Sequence, residues 1–199
     1  DLVRSRGLGD VYKRQEIDLY RQLVWFWMPE AAIAKGQHLI DYRTWIKNGF
    51  LRIGGEKAIE TSIIETAMVE IFERHNVQML AFDPMFVDES KMAELLPDAE
   101  VLKFPQTIMQ FAGPTAEYER LVMLGRLRHN GNPVLTWQAG HCAVKCDHNK
   151  NKRPVKNKAG DIRTIDGIVA GIMALRLQMA NAAEPSDYAE SGAMYGAYA

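Results

Sequence analysis

The sequence predicts an α/β fold with a mixed central sheet and helices on both faces, and three observations predict it. Apolar residues recur at spacings of three and four over residues 56–75, as on an amphipathic helix. The run that follows, residues 77–82, is short and almost wholly apolar, as in a strand buried on both faces. Predicted helices and strands then alternate along the chain, which is the pattern of the α/β class.

The predicted elements are justified in chain order by periodicity and by turn residues. We expect strands at 17–28, 50–53, 77–82, 101–104, 134–139 and 141–146. We expect helices at 40–47, 56–75, 87–96, 114–124 and 165–180. Pro29 ends the first strand, Asn48-Gly49 ends the first helix, and Asp83-Pro84 ends the buried strand. The polar segment 147–161 is expected to be a basic loop.

Composition limits the function classes. The 199 residues are 47% hydrophobic and 25% charged, which is ordinary for a globular protein, and the net charge of −1 is too small to hold nucleic acid by bulk attraction. Any DNA contact must therefore come from a local basic patch. No apolar run reaches the length of a membrane span, and two cysteines imply no disulfide framework.

The chain divides into three predicted segments. Residues 1–15 contain SRGLGDVYKRQ, which resembles a translated sequencing-adapter junction, so we expect a non-native or disordered leader, a basic N-terminal arm being the alternative. Residues 16–181 form one predicted domain. Residues 182–199 are rich in small residues and are expected to be a disordered tail.

Two aspartates are candidate metal ligands. Asp83 follows the buried strand, at the edge where ligands bind in open α/β sheets, although it could equally form the turn or cap the next helix. Asp166 lies in the first turn of the last predicted helix, where the helix dipole alone would favour a carboxylate. Because Mg²⁺ prefers oxygen ligands, two such residues on separate elements are what a shared carboxylate site needs.

Other candidate sites have competing interpretations. Arg126, Arg128 and His129 could contact phosphate at one corner, or His129 could simply bond to the local backbone. A second basic set could bind a nucleic-acid backbone or belong to a solvated loop; it comprises Lys150, Lys152, Arg153, Lys156 and Lys158. Cys142 and Cys146 have poor spacing for zinc, and we expect two buried thiols.

Several separated strings resemble one family. They are WFWMPE (25–30), DYRTWIKNGFLRIGG (41–55), MLAFDPMF (79–86), EYERLVMLGRLRHNGNPVLTW (117–137) and RTIDGIVAGIMAL (163–175). Together they resemble the C-terminal nuclease domain of the tailed-phage terminase large subunit, which also occurs in prophages. The resemblance covers about residues 16–180. It implies a ribonuclease-H-like fold that holds two Mg²⁺ or Mn²⁺ ions and cuts concatemeric viral DNA for packaging.

The resemblance assigns roles to particular positions. Asp83 matches the acidic residue of the family's FDP or YDP strand, and Asp166 matches the aspartate of its IDG helix start. Both are thereby implied to be catalytic metal ligands. Two departures put the shape of the pocket in doubt: Met85 stands where the family often has Trp, and His141 where it often has Asn.

The resemblance also implies parts that the sequence does not contain. The family's first catalytic Asp lies upstream of every matching string, and no GxxxxGK[ST] motif for the ATP-driven N-terminal domain occurs. We therefore expect a fragment lacking its first strand or strands, with little or no nuclease activity of its own. The alternative is a catalytically incomplete DNA-binding or scaffold fragment. The implied partners are double-stranded viral DNA, the terminase small subunit and the portal protein, in the host bacterial cytoplasm and with no membrane.

Overall fold

Helices and short strands alternate along the part of the chain that the computed structural model describes, residues 19–36, 41–85, 87–158, 163–181 and 193–195. The strands are β1 (Tyr20–Leu23), β2 (Trp27–Met28), β3 (Arg52–Ile53), β4 (Met79–Phe82), β5 (Glu100–Lys103), β6 (Leu127–His129), β7 (Cys142–Cys146), β8 (Lys152–Lys156) and β9 (Ala193–Tyr195). The helices are α1 (Glu30–Gly36), α2 (Tyr42–Lys47), α3 (Thr61–His75), α4 (Glu89–Leu95), α5 (Ile108–Met123), α6 (Pro133–Ala139) and α7 (Asp166–Asn181). The predicted α/β class is confirmed.

The strands form small sheets where we expected one central sheet. Within the described residues, β1 lies between β6 and β9, and β2 pairs with β3 and β4 with β5, all in parallel. Strands β7 and β8 form an antiparallel hairpin. The predicted strand 17–28 is divided into β1 and β2. Its alternation nevertheless persists, because Gln22, Val24 and Phe26 are all buried and share one side of the extended chain.

Helix α7 lies in the middle of the larger apolar core. Its residues Ile172 and Leu175 are almost completely buried, as is Leu121 of α5. A helix that is apolar on nearly all sides must be covered on nearly all sides, and α7 packs against α5, α6 and β4. A second cluster joins α3, β4 and α4. Strand β4 therefore lies between the two clusters, which explains its continuous apolar run.

The predicted strand at 134–139 is wrong, because these residues form helix α6. Pro133 occupies the first turn, where its missing N–H costs nothing. The side chain of Asn132 accepts hydrogen bonds from the N–H groups of Val134, at 2.9 Å, and Leu135, at 3.2 Å. This N-cap outweighs the period-two alternation of apolar and polar residues.

Other boundaries also differ from the predictions. The basic loop expected at 147–161 is wrong over Lys152–Lys156, which forms β8 and pairs residue by residue with β7. Helix α5 begins at Ile108, six residues before the predicted start, because Thr107 caps it and Pro114 is accommodated within it. Helix α1 was not predicted. Among the described helices, none is long and apolar enough to cross a membrane.

Two of the predicted segments cannot be compared with the structure over most of their length. The leader, 1–15, lies outside the described residues. So does the tail from 182 onward, except for β9, whose three residues pair with β1.

Candidate active site

Asp83 stands directly after β4, as predicted, and is half-buried. One of its carboxylate oxygens, Oδ1, accepts a hydrogen bond from the N–H of Met85 at 3.0 Å. This hydrogen bond forms the local turn that the sequence predicts for Asp83 as the alternative to a ligand role. Because the bond occupies a single oxygen position, a turn role and a ligand role are compatible.

Asp166 is the first residue of α7, also as predicted. Although solvent reaches the residue, surrounding protein atoms displace much of the water around its carboxyl group, and this desolvation raises the pKa of Asp166. Two weaker influences lower the pKa: the positive charge of Lys156, and a hydrogen bond from the side chain of Thr164. The carboxylate therefore has a cation and a hydroxyl group as neighbours.

The peptide groups of Gly167 hold the start of α7 through two buried glutamines. The Gly167 N–H donates to Oε1 of Gln138 at 2.5 Å, and the Gly167 carbonyl accepts from Nε2 of Gln22 at 3.4 Å. Gln22 in turn accepts a hydrogen bond from the hydroxyl of Tyr118 at 2.7 Å. Gln22 and Gln138 are 1% and 3% exposed. Sequence analysis missed both, and only the glycine beside Asp166 hinted at so close an approach.

The elements that carry the two aspartates are in contact, since α7 packs against β4. This contact is a condition for a shared site, and Asp83 at the end of β4 and Asp166 at the start of α7 meet it. That both carboxylates bind the same ions stays a prediction.

The basic residues of the β7–β8 hairpin have different environments. Lys156 acts on Asp166 electrostatically. Lys152 instead forms an ion pair with Glu119 of α5 at 2.5 Å, and Arg153 donates to the carbonyl of Gln106 at 3.4 Å. Lys150 and Lys158 are exposed. The hairpin thus places one of the predicted DNA-contacting cations, Lys156, near enough to the predicted catalytic carboxylate for its charge to lower the pKa of Asp166.

The second basic group lies at β6, beside the paired strand β1. Arg126 immediately precedes the strand, and Arg128 and His129 belong to it, both exposed. His129 Nδ1 accepts a hydrogen bond from the N–H of Gly131 at 3.2 Å. This is the local backbone bond that the sequence offers as the alternative to phosphate contact. A role for these three residues in DNA binding stays a prediction.

A family model described as "Terminase large subunit, endonuclease domain" matches residues 24–184. The chain belongs to this terminase family. The match includes every element from β2 to α7, and therefore both aspartates and the β7–β8 hairpin. The resemblance noted in the sequence is thereby confirmed.

Two known proteins are similar to the chain, and one of them is named a terminase large subunit. The chain is 27% identical to "Terminase, large subunit" of Enterobacteria phage HK97 over 75% of its own length and 30% of that protein. It is 28% identical to "Protein YmfN" of Escherichia coli K12 over 96% of its length and 45% of that protein. The chain thus spans less than half of each relative.

A solved structure supports the same fold. The crystal structure of the HK97 bacteriophage large terminase superposes with a TM-score of 0.66 and 23% identity, over 78% of this chain and 33% of that one. At this identity the likeness concerns the fold alone.

Divalent cations are the group that the terminase family implies, and the described residues fit part of such a site. Carboxylate oxygens are the ligands hard cations prefer, and a bound cation would offset the desolvation of Asp166. Within the described ranges, however, no group of three or more His, Cys, Asp or Glu residues could hold an ion. The two aspartates would therefore need a further ligand from elsewhere.

The remaining sequence-derived candidates behave as ordinary surface or packing groups. Cys142 is half-buried but Cys146 is exposed, so the expectation of two buried thiols is wrong for Cys146, whose side chain points outward near the end of β7. Met85, one of the two departures from the family pattern, is 80% exposed. His141, the other, bonds through Nδ1 to the Trp137 carbonyl oxygen at 2.6 Å.

Proposed function

We propose that this chain comes from the nuclease domain of a terminase large subunit that cuts concatemeric viral DNA for packaging. The observation that carries the proposal is the placement of Asp83 and Asp166, which the sequence resemblance implies to be metal ligands, on two elements that pack together. In this proposal the domain has a ribonuclease-H-like fold, and the two carboxylates help to hold Mg²⁺ or Mn²⁺.

Different residues of the chain would bind the metal ions and the DNA. Asp83 and Asp166 supply oxygen ligands, and the hydroxyl of Thr164 donates a hydrogen bond to Asp166. A pair of divalent cations, when bound, activates the attacking water and neutralises charge that develops at the phosphate. Lys156, beside Asp166, is placed to attract the DNA backbone toward the carboxylates.

The proposal extends to a longer parent protein. The first-strand Asp and the ATP-binding domain would both lie in that parent, because both relatives are more than twice the length that the chain spans. The parent would bind double-stranded viral DNA, the small subunit and the portal in the host cytoplasm. The isolated 199-residue chain would cleave DNA little or not at all.

The test is nicking of supercoiled plasmid by the intact parent subunit in Mg²⁺ or Mn²⁺. We expect Asp83→Asn and Asp166→Asn each to lower the cleavage rate at least about 100-fold. Loss of a group that only hydrogen-bonds to a metal ligand lowers activity about 10–100-fold, and loss of the ligand itself should cost at least as much. Asp88→Asn is the matched control, because Asp88 carries the same charge and caps α4 by accepting the Ser90 N–H at 2.9 Å, a role that Asn fills equally well.

Two results would overturn the proposal. The first is full cleavage activity in Asp83→Asn or Asp166→Asn, since a lost ligand cannot be neutral. The second is an equal loss in Asp88→Asn, because the effect would then follow from charge and not from position.

A catalytically incomplete DNA-binding or scaffold fragment is the second candidate. It is favoured by the count of two carboxylates, since no group of three or more ligands assembles among the described residues. DNA binding by the parent that persists in both aspartate variants, with no cleavage by the wild type in either metal, would support this candidate.

A further inference from the structure

Beyond the aspartates themselves, the structure shows a continuous chain of hydrogen bonds that leads to Asp166. Gln138 Nε2 donates to the hydroxyl oxygen of Thr164 at 2.9 Å. The Thr164 side chain also acts on the carboxyl group of Asp166, whose pKa it lowers as a hydrogen-bond partner. The other end of the Gln138 amide, Oε1, accepts the N–H of Gly167.

The donor and acceptor roles in this chain are fixed. The Gly167 N–H can only donate, so the atom of Gln138 facing it must be the oxygen, and the amide nitrogen must face Thr164. The Thr164 oxygen thereby accepts from Gln138. Its single proton is left to donate to the carboxyl group of Asp166.

The members of the chain come from different elements. Gln138 lies on α6 and is 3% exposed, Thr164 lies two residues before α7, and Asp166 begins α7. A buried amide with both ends bonded is costly to rotate, because any other orientation leaves a buried polar atom without a partner. Gln138 therefore has one stable orientation, and the hydrogen bond from its amide nitrogen fixes the orientation of the Thr164 hydroxyl.

We propose that Gln138 and Thr164 are positioning residues for Asp166, which hold its carboxylate in one side-chain orientation. This inference rests on the proposed function, in which Asp166 is a metal ligand. Gln138 sets the hydroxyl of Thr164, and Thr164 directs one oxygen of the carboxylate. Neither residue touches DNA or metal in this account.

The deciding comparison is Thr164→Val against Thr164→Ser. Val matches the shape of Thr but has no hydroxyl, and it leaves the bond between Gln138 and Gly167 in place. Ser restores the hydroxyl. Thr136→Val is the matched control, because the Thr136 hydroxyl bonds only to a backbone carbonyl, that of Asn132, at 3.1 Å.

The readout is the side-chain torsion χ1 of Asp166, measured by three-bond NMR couplings on the 199-residue chain without metal. We expect a single χ1 rotamer in the wild type, in Thr164→Ser and in Thr136→Val, and rotamer averaging in Thr164→Val. Averaged couplings in the wild type, or a single rotamer in Thr164→Val, would overturn the inference. A general loss of packing would instead broaden or shift signals throughout α7.

A second measurement, on the intact parent subunit and the same variants of it, separates this inference from the proposed function. Mg²⁺ is titrated alone while the carboxyl carbon of Asp166 is followed, because in the proposed function the parent supplies the further ligand that the two aspartates need. We expect Thr164→Val to raise the apparent Kd about tenfold, as removal of an outer-shell partner does, with Thr164→Ser close to wild type. An unchanged Kd in Thr164→Val overturns the positioning role. A wild-type carbon that ignores Mg²⁺, together with the expected χ1 pattern, contradicts the ligand role of Asp166 and leaves its orientation by Thr164 established.

Discussion

Replacing Gly167 by Ala tests how closely the start of α7 is packed. A Cβ at this position would lie 2.6 Å from Gln138 Oε1, 2.8 Å from Phe26 Cζ and 3.0 Å from Leu135 Cδ1. Two of these contacts come from α6 and one from Phe26, just before β2, and at least two of the three are shorter than real Cβ atoms tolerate. The methyl group can therefore be accommodated only if Gln138, Phe26 or the helix itself moves.

The magnitude follows from three contributions. Overpacking of a core costs about 1–3 kcal/mol. Disturbing the hydrogen bond from the Gly167 N–H to Gln138 costs about 0.5–1.5 kcal/mol. Replacing Gly by Ala lowers the entropy of the unfolded chain and returns about 0.4–1 kcal/mol. We expect a net loss of about 2 kcal/mol in the free energy of unfolding.

Urea unfolding followed by tryptophan fluorescence measures this loss. With slopes of about 1–3 kcal/mol per molar urea, the midpoint of Gly167→Ala should fall by about 1 M. Gly140→Ala is the control, because Gly140 ends α6 with a φ of −65° and its Cβ would meet nothing closer than 3.5 Å. That variant should gain about 0.4–1 kcal/mol. A Gly167→Ala midpoint at or above wild type, with Gly140→Ala behaving as expected, would refute the packing argument.

Two further predictions concern charge. Because desolvation raises the pKa of Asp166 above its ordinary value, the free energy of unfolding falls as pH rises through the folded-state pKa. Asp166→Asn should therefore be more stable than wild type near pH 7, and the difference should vanish below the pKa of the unfolded state. A constant difference in urea midpoint across that range would contradict this reasoning. Replacing Lys150, Lys152, Arg153, Lys156 and Lys158 together by Ala in the parent should make the slope of log K against log salt less negative by up to about 4.5, since each phosphate contact contributes roughly 0.9. Lys152→Ala alone should change the slope least, because Lys152 already pairs with Glu119, and a loss equal to that of Lys156→Ala would contradict this assignment.

The sequence predicted well those elements whose local signals agree with their tertiary surroundings. Helix α3 combines a periodic apolar face with a left-handed C-cap at Asn76, and β4 is apolar throughout because both of its faces are covered. Segment 134–139 failed because its alternation fits a strand, while the decisive signal was a single capping side chain, that of Asn132. Hairpin strand β8 failed for another reason: its charges suggested a solvated loop, but the strand packs against α5, with Pro154 buried and Lys152 paired with Glu119.

The predicted site lacked the two buried glutamines, which sequence periodicity could not have revealed. The positions of Asp83 and Asp166 follow from where a strand ends and a helix begins, which are local features. Gln22 and Gln138 become relevant only when β1, α6 and α7 meet, since an isolated glutamine carries no signal of the partner it will find.

The two glutamines explain why the site's stability and its geometry should be linked. Gln22 bonds to the carbonyl of Gly167 and Gln138 to its N–H, so the same peptide segment is held from β1 and from α6. Asp166 is the residue just before that glycine, and its carboxyl group is bonded to Thr164, which Gln138 also holds. A shift of either glutamine would therefore move the start of α7, and the carboxylate with it. It follows that Gly167→Ala should disturb both the free energy of unfolding and the orientation of Asp166, whereas Thr164→Val should disturb chiefly the orientation.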